Sequence, residues 1–160
     1  GKERFISQLQ SVFDRGNYDP TNEPNIAYPY LFSYFKGEEW RTQVLTHKLL
    51  KAYFKNNPEG LPGNDDTGTM SAWAIFSMIG FYPDCPGEPA YTLTSPVFDK
   101  ITLHLDPKQW GKDKLVIETK RSNLNAVRIE KMEVDGKPWH NYRISHSDLV
   151  KAGVLKFTLK

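Results

Sequence analysis

The chain has 160 residues, of which 39% are hydrophobic and 25% charged, and a net charge of +2; this is the composition of a globular protein with a core of its own, not of a disordered chain. No apolar run reaches the roughly 20 residues that cross a bilayer, and a single cysteine, Cys85, rules out an internal disulfide framework. The basic residues of the second half are scattered from Lys108 to Lys160 at strand-like spacing, which speaks against a surface that tracks nucleic-acid phosphates.

The opening Gly-Lys-Glu-Arg-Phe-Ile enters a helical pattern at once, with no leader, and reads as the start of an excised segment. Phe5, Ile6, Leu9, Val12 and Phe13 share one helical face, which predicts a first helix over residues 3–15, stopped by Gly16 and Asp19-Pro20. Pro24 and Pro29 delay the next helix, so residues 17–28 are expected to form an ordered loop feeding a short aromatic helix near Tyr30–Phe35. Glu38-Glu39 suits a helix N-terminus, and Trp40, Val44, Leu45, Leu49 and Tyr53 form the stripe expected to face the core before Asn56-Asn57-Pro58 ends that helix. Met70–Ile79 is apolar almost all round and predicts a buried helix opening near Thr69.

After Gly80 the periodicity changes from 3.6 to 2. Ile101/Leu103/Leu105, Leu115/Ile117, Val127/Ile129, Met132/Val134 and Leu155/Phe157/Leu159 alternate as half-buried strands, with Asp135-Gly136 as a hairpin turn. The expectation is an α+β chain, with a helical part at residues 1–82 and a small antiparallel β unit at residues 83–160.

The stretch richest in chemistry is Gly60-Leu-Pro-Gly-Asn-Asp-Asp-Thr-Gly68, just ahead of the buried helix. Free amides and the positive dipole end of a helix favour the charged form of a carboxylate, so Asp65 and Asp66 suit proton acceptance or cation binding. Asn, Asp, Thr and Gly are equally ordinary capping residues, and the pattern alone leaves capping and catalysis both open. Glu23, in Asn22-Glu23-Pro24, is an acid on a Pro-constrained loop whose local structure does not require a charge. The aromatics are mostly core material, Trp73 above all. The four histidines, His47, His104, His140 and His146, show no zinc-ligand spacing.

Three segments together resemble glycoside hydrolase family 92, the calcium-dependent inverting exo-α-mannosidases: Asn22 through Tyr34, Trp40-Arg-Thr-Gln43, and Gly60 through Pro83, followed by Ser95-Pro-Val-Phe-Asp-Lys100. The resemblance implies that the helices close part of an (α/α)6 toroid and that the strands lie in a β element beside it. It implies release of terminal α-linked mannose from N-glycan-type oligosaccharides, with Asp66 as general base, Asn64 at a base-assisting position, and Asn22 and Glu23 at the substrate. It also implies Ca2+, with Asp65 as a ligand, a secreted, periplasmic or cell-surface location, and the rest of the same polypeptide as partner. The family's general acid belongs to a Glu-Gly-Asn type of motif that does not occur in these residues, so the segment by itself is expected to be inactive. The alternatives are a non-catalytic carbohydrate-binding module, suggested by the aromatic β half, and a structural calcium-stabilised domain.

Overall fold

A computed structural model of the chain describes residues 1–21 and 23–160. It divides into two compact units, Gly1–Ile75 and Phe76–Lys160.

The first unit is helical. Helix α1, Lys2–Asp14, buries Ile6 and Leu9 and ends where Gly16 turns the chain. Two 3-10 segments follow, Glu23–Asn25 and Tyr28–Tyr34, then α2, Glu39–Tyr53, and the start of α3, Thr69–Ile79. The aromatic helix is thus a 3-10 segment, opening at Tyr28 with Pro29 in its first turn. Ile6, Leu9, Phe32 and Leu45 form a core, with Phe13, Tyr28, Leu31 and Phe35 packed against it.

Helix α2 is rotated from the face that hydrophobicity predicts. It buries Thr42, Gln43 and Thr46 together with Leu45, Leu49 and Leu50, whereas Tyr53 is exposed. Backbone carbonyls and a neighbouring hydroxyl make this possible. Thr42 Oγ1 donates to the Pro29 carbonyl (2.8 Å) and accepts from Ser33 Oγ (2.9 Å), and Thr46 Oγ1 donates to the Thr42 carbonyl (2.9 Å). A buried hydroxyl with its bonds made is tolerated; Thr42 thereby locks α2 to the preceding 3-10 segment, and Thr46 turns its hydroxyl back onto the carbonyls of its own helix.

The second unit contains two sheets. Strands β1, Phe81–Tyr82, β2, Ala90–Leu93, and β7, Arg143–Ser145, form one of order β1-β2-β7. Strands β3, Lys100–His104, β4, Lys114–Arg121, β5, Ile129–Val134, β6, Lys137–Trp139, and β8, Val154–Leu159, form the other, of order β3-β4-β8-β5-β6. Short helices α4, Pro107–Trp110, and α5, His146–Lys151, lie in the connections. Leu115 and Ile117 of β4, Ile129 and Met132 of β5, and Leu155, Phe157 and Leu159 of β8 build the core.

Two features depart from the expected antiparallel unit. Strands β4 and β8 pair in parallel, a pairing that needs a long crossover, here supplied by everything between Ser122 and Gly153. Strand β5 buries Ile129 and Met132, three residues apart, because a bulge between Ile129 and Lys131 shifts its register against β8; Val127 lies outside the strand. The Asp135-Gly136 turn forms as predicted, with φ of 50° and 76°, and Asp135 Oδ1 also accepts the amides of Gly153 (2.9 Å) and Val154 (2.8 Å) at the head of β8.

In the smaller sheet the Asp84 side chain is fully buried and accepts from Thr92 Oγ1 (2.7 Å), and Arg143 bridges to Glu88 (2.7 Å) with its other nitrogen 3.7 Å from Asp84. Burial, reinforced by the negative charge of Asp84, pushes the Tyr82 phenol up to about 12. The folded chain therefore keeps this proton after the unfolded chain has released it, so the stability it contributes is complete below about pH 10 and is lost as pH rises toward about 12. Denaturant titrations across that window should show wild type losing stability more steeply than Tyr82→Phe, and identical slopes would remove Tyr82 from the account.

Candidate functional site

The loop between α2 and α3 is built from close approaches. Lys55 donates its amide to the Gly60 carbonyl (2.9 Å) and Gly60 donates to the Asn57 carbonyl (3.0 Å), so the chain folds back on itself. A Cβ at Gly60 would collide with the Lys55 carbonyl oxygen, and one at Gly63 would sit 2.9 Å from Thr21 Cβ. Glycine at these two positions is a steric requirement. The Gly63 contact also brings this loop against the segment leading to Glu23.

At the head of α3 the two adjacent carboxylates part company. Asp65 Oδ1 accepts the Ser71 amide (2.8 Å) and its Oδ2 accepts the Ser71 hydroxyl (2.9 Å), so Asp65 satisfies one of the helix's orphan donors. Its carbonyl accepts from Met70 N (3.2 Å). Asp66 uses only its main chain, the carbonyl accepting from the Thr69 hydroxyl (2.7 Å) and amide (3.3 Å). The Asp66 side chain is exposed, and its carboxylate has no partner among the described residues.

The backbone enforces this separation. Asp66, Thr67 and Gly68 have φ of 45°, 61° and 89°, three consecutive residues in the left-handed region. Asp tolerates that conformation; for β-branched Thr67 it is a genuine outlier, of a kind that costs about 1–3 kcal/mol and clusters at functional sites. The turn reverses the chain between the capping carboxylate and the helix, so that Asp65 points at the amides while Asp66 stays in solvent.

Glu23 opens the first 3-10 segment, exposed, and its carboxylate likewise has no partner among the described residues. Thr21 donates both its amide (2.9 Å) and its hydroxyl (2.7 Å) to Asp19 Oδ1, and these two bonds hold the Asp19 carboxyl below the usual carboxylate range. Asn25 Nδ2 donates to the Asp19 carbonyl (3.0 Å). Asn64 is exposed in the α2–α3 loop. Asn22 lies outside the described residues. The structure thus gathers Asn64, Asp65 and Asp66 on one loop, packed through Gly63 on the segment that presents Glu23. Sequence reading did not find the sorting of the two aspartates, which depends on backbone dihedrals, nor the tie from Trp73 to this segment, whose indole Nε1 donates to the Ile26 carbonyl (2.9 Å) across 47 residues.

The described side chains do not by themselves make a calcium cage. Calcium takes about 6–8 oxygen ligands; both Asp65 oxygens already accept bonds from Ser71, and no cluster of three or more His, Cys, Asp or Glu that could hold a metal comes together among the described residues.

A sequence model of the glycosyl hydrolase family 92 catalytic domain matches residues 1–160. The chain is 27% identical over 160 residues to an uncharacterized secreted glycosidase of Arthroderma benhamiae, covering 99% of this chain and 20% of that protein. Among solved structures it is similar to a family 92 α-mannosidase of Bacteroides thetaiotaomicron (TM-score 0.90, 29% identity, 100% of this chain and 22% of that one). It superposes equally on the same enzyme in complex with mannoimidazole (TM-score 0.91, 27% identity, 100% and 22%). An inverting mannosidase of the same family and organism is similar over 94% of this chain and 20% of its own length (TM-score 0.79, 30% identity). The chain therefore spans about a fifth of the length of these relatives.

The division between the aspartates has a stability signature. Asp65→Ala should cost about 0.5–2 kcal/mol, the loss of a helix cap, whereas Asp66→Asn, at an exposed left-handed position that Asn accepts, should stay within about 0.5 kcal/mol of wild type. Chemical denaturation measures both, and equal losses would show that Asp66 also holds the helix.

Proposed function

We propose, from the premise that the chain belongs to glycosyl hydrolase family 92, that it is the base-bearing part of an inverting exo-α-mannosidase. The observation that carries this reading is the solvent-facing Asp66 carboxylate, without a partner among the described residues, beside a capping Asp65. Capping, the competing use of such a loop, is accomplished by Asp65, and Asp66 is left with no structural employment for its charge.

In an inverting hydrolysis a carboxylate takes a proton from water as the water oxygen attacks the anomeric carbon, and a second, protonated carboxyl group gives a proton to the departing glycosidic oxygen. Asp66 fills the first role. Asn64, two residues before it, can orient that water by hydrogen bonding but cannot take its proton, so the base acts essentially alone. Glu23 lies on the packed neighbouring segment and is assigned to the leaving-group sugar, and the same assignment is proposed for Asn22, which precedes it in the sequence. The proton donor comes from outside these 160 residues, on the portion of the polypeptide that would complete the (α/α)6 toroid around the helices of the first unit. Terminal mannose of N-glycan-type oligosaccharides is the proposed substrate.

Calcium dependence is proposed for the whole polypeptide, with oxygen donors drawn from beyond the described side chains, and no step is assigned to the ion. A secreted, periplasmic or surface location fits the name of the fungal relative, and no helix among the described residues is long and apolar enough to cross a membrane.

Removing the base should lower turnover more than affinity. In the intact polypeptide Asp66→Asn should reduce kcat for α-mannoside hydrolysis roughly 10²–10⁴-fold with KM little changed; near-normal turnover would overturn the assignment. The purified 160-residue chain should release no mannose from mannobiose above the uncatalysed background, because it holds a base without an acid, and measurable release would show that a proton donor had been overlooked within it.

A further inference from the structure

We infer that Trp73 is a positioning residue that holds the Glu23 loop in register with the helix that follows Asp66, an inference that rests on the functional reading above. Trp73 is 2% exposed, on α3, and its indole N–H donates to the Ile26 carbonyl (2.9 Å). Ile26 in turn donates its amide to the Glu23 carbonyl (3.1 Å), closing the 3-10 turn that opens with Glu23. Two hydrogen bonds therefore lead from the indole to the main chain of Glu23.

The indole cannot wander. One face stacks on Phe54, just beyond α2 (centroids 5.5 Å apart, planes at 15°), and the ring meets Tyr30 edge-on (6.3 Å, 76°), a residue with no exposure at all. Its donor direction is thus set by packing against two other elements. The helix that carries it begins at the turn where Asp65 caps and Asp66 projects. The same two loops also touch where Gly63 abuts Thr21, so the Glu23 segment is fastened at both ends to the structure that presents Asp66.

This fastening has a catalytic consequence. A carboxylate that activates water and one that holds the leaving sugar must keep a fixed separation, and misplacement by about 1 Å can cost on the order of 100-fold. Trp73 contributes a side-chain bond to main chain, touches neither water nor sugar, and acts through Glu23 alone. Its loss should therefore be felt by substrates that occupy the leaving-group side with a sugar and hardly by those that do not.

The test uses the intact polypeptide and two substrates, α-mannobiose and an aryl α-mannoside whose leaving group is not a sugar. Trp73→Phe keeps an aromatic ring against Phe54 and Tyr30 and deletes the N–H. It should reduce kcat/KM on mannobiose roughly tenfold, the equivalent of one buried hydrogen bond, and on the aryl mannoside less than about twofold. Equal losses on both substrates, or no loss on either, would overturn the positioning role. Should Trp73→Phe not accumulate as folded enzyme, Thr21→Val removes the hydroxyl bond to Asp19 at the other end of the same segment, keeps the shape that meets Gly63, and leaves the loop of Asp66 unaltered; it should give the same selective loss, with an equal loss on both again overturning the inference. Asp66→Asn run in parallel separates the two ideas. If it is inactive on both substrates while Trp73→Phe is indifferent, the tie alone fails; if it retains full turnover, the functional reading fails whatever Trp73 does.

Discussion

The N-terminus of a helix must have its amides met, and at α3 the carbonyls of Asp65 and Asp66 take those of Met70 and Thr69 while the Asp65 carboxylate takes that of Ser71. By reaching forward to both the amide and the hydroxyl of Ser71, Asp65 sets where the helix begins. The chain between cap and helix then has only three residues in which to reverse, Asp66, Thr67 and Gly68, and all three take positive φ. A residue in that conformation directs its side chain away from the turn's inner face. The exposure of Asp66 is thus a geometrical consequence of the bond that Asp65 makes, and the strain at Thr67 is sustained by the Asp66 carbonyl accepting twice from Thr69.

This arrangement also sorts charge. Two neighbouring carboxylates at one helix end would compete for the same amides and the same dipole field. Here Asp65 takes the hydrogen bonds and Asp66 keeps the solvent access, so one group is spent on structure and the other leaves its charge open to the solvent. The packing behind them follows the same logic. Two buried polar groups of the first unit are bonded to specific carbonyls, Thr42 to Pro29 and Trp73 to Ile26, so the loops ahead of α2 are located by directional bonds as well as by apolar contact. Hydrophobic burial is non-directional and would leave those loops free to slide.

How far the fold was legible depends on whether the governing signal is local. The helices α1, α2 and α3 lie within a residue or two of the expected spans because Gly16, Glu38-Glu39 and Asn56-Asn57-Pro58 act on their own backbone and the apolar run Met70–Ile79 is itself continuous. The hairpin at Asp135-Gly136 was readable for the same reason. Burial of Thr42 and Thr46 was not, since a hydroxyl counts as polar until the carbonyl that receives it is in place. The bulge at Ile129/Lys131 and the parallel β4–β8 pair belong to pairing partners, not to alternation, and short strands such as β1 and β7 are too brief to alternate at all. At the site, the loop and its candidate acids were visible as residue types. The sequence offers Asp65 and Asp66 as near equivalents, and only the dihedrals distinguish them.

An exposed carboxylate is a poor catalyst while it remains exposed. In water, charges about 4 Å apart interact by only about 1 kcal/mol, and the same pair in an enclosed, partly desolvated cleft interacts several times more strongly. Fixed groups that replace solvent around a reacting centre supply much of the rate enhancement of hydrolases. The chain accounts for about a fifth of its relatives' length, and within it the field around Asp66 is that of solvent. What these residues contribute is placement: an exposed carboxylate on a strained turn, and a neighbouring Glu-bearing segment bonded through an indole to the helix that follows that turn. On the reading proposed above, in which Asp66 is the base, a proton donor and the exclusion of water have to come from elsewhere in the polypeptide, and both work only if the base is already where the sugar will be.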